Sequence, residues 1–278
     1  MRVGIIGTEN THVDQIVEYL NVRDLGGDTR VVALSGGADE RNERLRDRGR
    51  IERIVDEPAE LLGLVDAVVI TDRHGGRHRE HALPFLAAGL PVWVDKPLAV
   101  SLADAEAIVV AARAHDALLT SYSALRWIPD TDALAARAAT LGATQLVITT
   151  GPADPTSPYA GIWFYGIHPV DVALRLAPGP VGEVRVDRTG DTVVATAEVG
   201  QTRVMVNLVK PGPAGQVPFH GMVVGRTGVA ASALTLDEWY VAPGIEKFVR
   251  MAESRRPPID YADLLRPIQF LDAVASAL

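Results

Sequence analysis

The sequence predicts an α/β protein of two domains, an N-terminal doubly wound parallel sheet (residues 1–121) followed by a C-terminal α/β domain with a mostly antiparallel open sheet (residues 122–278). Three observations carry that expectation. Short β-branched runs alternate with helical patterns up to Thr120, whereas after Tyr122 the strands crowd together and are joined by tight turns. A length of 278 residues suits two domains of ordinary size, each burying its own core.

In the first domain the strands are expected at Val3–Ile6, Arg30–Leu34, Ala67–Thr71, Pro91–Val94 and Ala117–Thr120. Their near-continuous apolar character is that of parallel strands covered on both faces. A helix over Val13–Leu20 follows polar Asn10 and Thr11, and Ser101 precedes a helical pattern with apolar Leu102, Ala105, Ile108, Val109 and Ala112. The second domain is expected to run through a helix at Thr131–Thr140, a strand at Gln145–Thr150 and a helix around His168–Leu176. Strands follow near Val184–Arg188, Thr192–Val199, Thr202–Val209 and Met222–Val224. Helices at Gly244–Ser254 and Tyr261–Leu278 flank the breaker Arg256-Pro257-Pro258.

Composition narrows the functional classes. Apolar residues at 47% and charged residues at 22% are those of a compact globular chain. A net charge of -8, with scattered arginines, argues against nucleic acid as a partner. Without cysteine there is no thiol nucleophile and no thiolate metal site. Met1 to Gly7 enters a strand without a signal-like apolar region, and no uncharged run reaches membrane-spanning length, so a cytoplasmic location and no membrane partner are expected.

The run Gly4-Ile5-Ile6-Gly7-Thr8-Glu9-Asn10-Thr11-His12 occupies the turn where a Rossmann dinucleotide-binding domain holds its pyrophosphate. Gly7 fits the first glycine of that fingerprint, while Glu9 and His12 stand at the second and third. Gly7, Thr8, Glu9, Asn10, Thr11 and His12 are the candidate cofactor contacts there; the competing reading is a βα turn without a ligand. After the second strand the chain reads Ser35-Gly36-Gly37 with Arg41 following, in place of the acid that would accept from the adenosine ribose. A small residue beside an arginine tolerates a 2′-phosphate, so NADP is expected over NAD; alternatively Arg41 is one exposed charge of the run Asp39–Arg44.

Three further pieces carry a resemblance. They are Asp66–Thr71 with His78-Arg79-Glu80-His81-Ala82 and Ala87–Ala99, the latter containing Asp95-Lys96-Pro97; then Arg126-Trp127-Ile128-Pro129; then Gly166-Ile167-His168-Pro169-Val170-Asp171. In order and spacing they resemble the Gfo/Idh/MocA family of NAD(P)-dependent sugar oxidoreductases. The resemblance implies hydride transfer between nicotinamide and a sugar, cyclitol or related polyol, with Lys96 and His168 as catalytic residues. It places Thr71, Asp72, Arg73, His74, His78, Asp95, Lys96 and Arg126 with Ser35 and Arg41 among the cofactor contacts. It also implies a homodimer or larger homo-oligomer built on the open sheet.

The residue types suit that chemistry. A lysine at a strand's carboxyl end, partly desolvated, can hold or release a proton, and histidine provides a base of near-neutral pKa. His168 and Asp171, three apart on a helix, share a face. One departure is plain: the family's aspartate four residues before the histidine is Phe164 here, with Tyr165 beside it as a candidate proton donor. Tyr122, Trp163 and Asp171, with Lys96, are the candidate substrate contacts. His74, His78, His81 and Asp72 match no zinc signature and are expected to line the cleft, with no metal. Two rival functions remain: a catalytically silent member binding a nucleotide or sugar as sensor or scaffold, and, more distantly, a metal-dependent lyase.

Overall fold

A computed structural model describes residues 1–213 and 215–278, which form two compact units. The first comprises Met1–Ala99, Ala103–Tyr122 and Val241–Leu264; the second comprises Val100–Leu102, Ser123–Tyr240 and Leu265–Leu278. The chain changes unit at Tyr122/Ser123, and a late segment, Val241–Leu264, also belongs to the first unit.

In the first unit, strands β1 (Arg2–Ile6), β2 (Arg30–Ser35), β3 (Arg53–Val55), β4 (Ala67–Ile70), β5 (Val92–Val94) and β6 (Leu119–Thr120) form one parallel sheet in the order β3-β2-β1-β4-β5-β6. The order reverses between β1 and β4, which opens a crevice at the strands' carboxyl ends. Every residue of β4 and β5 is buried, as the unbroken apolar runs predict. Helices α1 (His12–Val17), α2 (Asp39–Gly49), α3 (His78–Ala87) and α4 (Leu102–Ala114) connect the strands. The expected helix Val13–Leu20 is divided: α1 ends at Val17 and a π turn covers Glu18–Val22. Buried Asn21 explains the change, because its amide donates to the carbonyls of Val31 and Gly49 and accepts from the Val31 N–H, anchoring that turn to β2. Strand β3, three residues long, and helix α2 carry too little apolar periodicity to be read from the sequence.

The second unit has α5 (Pro129–Ala139), β7 (Thr144–Pro152), α6 (Trp163–Leu176), β8 (Arg185–Thr189), β9 (Thr192–Val199), β10 (Thr202–Val209), β11 (Phe219–Gly225) and β12 (Gly228–Leu234). Its sheet runs β12-β11-β7-β10-β9-β8, antiparallel except for the β7–β10 pair. β12 was not expected, since its Ala-rich sequence lacks the bulky β-branched side chains that mark strands. Helix α6 begins at Trp163 rather than near His168; Pro169 reads as a first-turn residue but stands in the helix interior. Helices α5 and α6 cover one face of the sheet, and Thr149 Oγ1 donates to the Pro169 carbonyl at that contact. On the opposite face Met222, Ile148 and Met205 form a half-buried apolar row across three strands.

Two helices complete the chain, α7 (Ala242–Ser254) and α8 (Tyr261–Ser276). α7 buries Ile245, Phe248 and Met251 at helical spacing, and Phe248 meets Trp93 of β5 at 5.7 Å, which is why this late segment joins the first unit. Among the described residues no helix is long and apolar enough to cross a membrane.

Candidate functional site

The β1–α1 turn is fixed by backbone geometry before any ligand is considered. Gly7 has φ +80°, and a Cβ there would lie 2.6 Å from the Asp72 nitrogen, so the first glycine of the fingerprint is sterically required. Its N–H donates to Ser35 O at 2.9 Å, and the Thr71 N–H donates to Ile6 O at 2.7 Å, joining the ends of β1, β2 and β4. Thr8 is buried, its hydroxyl between Gly36 O and the Asn42 amide oxygen, while Glu9 and Thr11 are exposed.

Of the two residues that replace the later glycines, His12 has a definite structural use. His12 turns inward, and its Nδ1 lies 2.9 Å from Asp95 Oδ2 in a buried pair. Asn10 donates its amide to the same carboxylate at 2.7 Å and accepts the His12 N–H at 3.0 Å. The turn is therefore laced to the Asp95-Lys96-Pro97 tripeptide by side chains. Arg41 donates to the carbonyls of Thr8 and Asn10 and pairs with Asp14 at 2.6 Å. Arg41 is therefore not a simple exposed charge but a clamp on the turn.

A cleft of about 390 Å³ lies at the strand ends and is lined by Gly7, Gly36, Gly37, Asp72 and His81, with Asp56 and Glu57 among its acidic residues. Gly36 and Gly37 have positive φ, and a Cβ on Gly37 would collide with the Thr8 hydroxyl. The Ser35 hydroxyl, at the end of β2, is buried with no hydrogen-bond partner among the described residues. A side-chain-free glycine cradle beside this cleft fits the adenosine portion of a dinucleotide.

The histidine-rich loop after β4 is internally satisfied. Asp72 pairs with His81 Nδ1 at 2.7 Å and lies 3.6 Å from Arg77; burial raises its pKa, but the hydrogen bond to His81, with its neighbours His78 and Arg77, outweighs burial and holds the carboxyl below its ordinary value. His78 is fully buried between the carbonyls of Pro97 (2.7 Å) and Asp72 (3.0 Å), and burial lowers its pKa. His74 accepts the Gly76 N–H at 3.1 Å. Among the described residues no group of three or more His, Cys, Asp or Glu side chains is arranged to hold a metal ion.

Lys96 follows β5 and is only 6% exposed. Burial lowers its pKa, Asp95 opposes that, and Arg73 adds to it, with a net shift below the ordinary lysine value. Asp95 is pushed up by burial but pulled further down by His12 and Lys96, to about 2. Tyr122, expected as a substrate contact, is instead packed in the first unit: its ring stacks on Trp93 at 5.3 Å, and Gly244 leaves room for its phenol. Burial and nearby Asp95 raise the pKa of that phenol.

In the second unit, His168 and Asp171 occupy successive turns of α6 and both are buried. Asp171 accepts the Ser123 N–H at 2.8 Å and pairs with Arg126 at 2.6 Å, so both oxygens are engaged. Asp171 and Arg126, expected as substrate and cofactor contacts, thus tie α6 to the 3₁₀ turn Ala124–Trp127. Arg175 extends the tie by donating to the Arg126 carbonyl. His168 Nδ1 lies 2.6 Å from Ser123 Oγ. Trp163 is buried, whereas Tyr165 is 45% exposed with its ring 5.9 Å from that of His168. Phe164 fills the family's aspartate position and packs between Tyr159 and Tyr165.

Sequence reasoning missed Ser123. The available signal was local: a serine two residues before a backbone N–H that needs a cap, here Leu125, which donates to Ser123 Oγ at 3.1 Å.

Comparison with known proteins agrees with this architecture. Residues 1–123 match the Gfo/Idh/MocA family model, described as an oxidoreductase family with an NAD-binding Rossmann fold. A 1,5-anhydro-D-fructose reductase of Ensifer adhaerens is 33% identical over 127 residues, covering 45% of this chain and 37% of that one. Inositol 2-dehydrogenase 3 of Saccharopolyspora erythraea is 31% identical over 137 residues, 45% of this chain and 36% of its own. The aligned region thus spans little more than a third of either relative. The apo scyllo-inositol dehydrogenase of Lactobacillus casei superposes with a TM-score of 0.86 at 13% identity, covering 100% of this chain and 96% of that one, a likeness of fold.

Proposed function

Since residues 1–123 match the Gfo/Idh/MocA oxidoreductase family model, we propose that the chain is an NAD(P)-dependent oxidoreductase acting on a sugar, cyclitol or related polyol. The observation that carries this reading is Lys96, a buried amine of lowered pKa at the carboxyl end of β5. Gly7, Thr8, Ser35, Gly36 and Gly37 would hold the dinucleotide, whose nicotinamide supplies hydride acceptance or donation when bound. Lys96 Nζ holds the proton exchanged with the substrate hydroxyl; His168, in the second unit, is a separate candidate for substrate contact. Asp95 keeps a negative charge beside Lys96 and offsets part of the burial that would otherwise strip its proton. Exposed Tyr165 is a secondary candidate for substrate contact.

The cofactor without a 2′-phosphate is favoured. Arg41 is committed to the turn and to Asp14, and a phosphate would meet Asp56, Glu57 and Glu80 against the single guanidinium of Arg77 in the cleft lining. The half-buried row of Ile148, Met205 and Met222 supports a homo-oligomer formed on the open sheet, read by light scattering on the purified chain.

The test is a panel of inositols, aldoses and anhydro sugars with NAD or NADP, followed by nicotinamide absorbance. Lys96→Met should lower kcat by about 10²–10⁴ while cofactor binding persists. Failure to bind either cofactor at millimolar concentration would remove the reading. Binding without turnover on any substrate class would favour the silent alternative, to which the Phe164 replacement points.

A further inference from the structure

The missing carboxylate at position 164 raises the question of what fixes the His168 ring, since a neutral imidazole has two tautomers with opposite functions at Nε2. The second unit supplies a different partner. Ser123 Oγ is buried and lies 2.6 Å from His168 Nδ1, a short contact for a hydroxyl and an imidazole nitrogen. The serine itself is held at two further points: its N–H donates to Asp171 Oδ2 at 2.8 Å, and its Oγ accepts the Leu125 N–H at 3.1 Å. Asp171 is locked in turn by Arg126 at 2.6 Å.

The donor count favours one direction for the contact. A serine hydroxyl has one proton and two lone pairs, and one lone pair already accepts from Leu125. The proton needs an acceptor in this buried place, and the ring nitrogen facing it is His168 Nδ1. A carboxylate partner would do the reverse, accepting a proton from the ring and leaving the distal nitrogen bare.

We propose that Ser123 is a positioning residue that holds neutral His168 with its proton on Nε2, making that nitrogen a hydrogen-bond donor rather than a base. The consequence for turnover rests on the proposed function: His168 would donate a hydrogen bond to a substrate oxygen rather than take its proton. The tautomer itself is a property of the unliganded chain and is measured without substrate or cofactor.

The experiment is nitrogen-detected NMR of the histidine rings in the full chain at about pH 8, with His168 assigned through His168→Gln. Expected is a preference of up to about tenfold for Nε2–H, the worth of one neutral hydrogen bond. Ser123→Ala should shift the ratio toward Nδ1–H relative to the wild-type chain and Ser123→Thr should keep the wild-type ratio, with the backbone spectrum of the second unit serving as the folding control. Should Ser123→Ala fail to fold, the wild-type and Ser123→Thr spectra still decide. His168 protonated at Nδ1 in the wild-type chain overturns the proposal, as does an unchanged tautomer in a folded Ser123→Ala protein. A chain with the expected tautomer and no oxidoreductase activity would leave this assignment standing while removing the functional reading.

Discussion

Asp95→Asn tests how the divergent turn is held together. The carboxylate is 2% exposed and receives Asn10 Nδ2 at 2.7 Å and His12 Nδ1 at 2.9 Å, beside the amine of Lys96. Its pKa of about 2 lies below the unperturbed value of 3.8. At 1.36 kcal/mol per unit, that difference corresponds to roughly 2 kcal/mol of native stability. Because the folded pKa is depressed, this contribution is fully present above about pH 4 and is lost as pH falls toward 2. The amide keeps the shape but turns an NH₂ toward donors, so the loss at pH 7 should reach roughly 3–5 kcal/mol, the range for breaking a buried pair. Urea unfolding of both proteins at pH 7, 5 and 3 reads the difference. It should be nearly constant from pH 7 to pH 5 and shrink at pH 3. A deficit that stays the same at all three values would refute an electrostatic origin and leave only altered packing.

Three other perturbations address separate parts of the framework. Gly7→Ala forces a side chain into a positive-φ position 2.6 Å from the Asp72 backbone and should cost roughly 1–3 kcal/mol and abolish dinucleotide binding, checked by denaturation and by cofactor fluorescence titration. Gly244→Ala drives a methyl into the Tyr122 phenol and should destabilise the chain by about 1–3 kcal/mol, seen as a lower Tm with no change of thermal cooperativity. Arg126→Met leaves Asp171 buried without its guanidinium, so urea unfolding should register a loss of about 3–5 kcal/mol; the double variant Arg126→Met/Asp171→Leu should recover part of it.

Much of the fold was legible because it rests on near-neighbour pattern. The parallel sheet announced itself through apolar runs such as Ala67–Ile70 and Val92–Val94, and the second sheet through alternation in Thr192–Val199 and Thr202–Val209. Lys96 could be placed after a strand from sequence alone, and Gly7 could be assigned to the turn that requires it. Less local matters were not legible: the stacking of Tyr122 on Trp93, the hold of Arg41 on the turn, and the buried pair of Asp171 with Arg126.

What the sequence by itself determined is the order of elements and the residue types offered at each strand end, because periodicity and turn chemistry act over a few residues. What only the tertiary structure decided is which of those polar groups are already engaged. His12 with Asp95 joins residues 83 apart, and Ser123 with His168 residues 45 apart. Burial makes such pairings obligatory, since a polar group removed from water must find a partner, but which partner depends on where the chain returns.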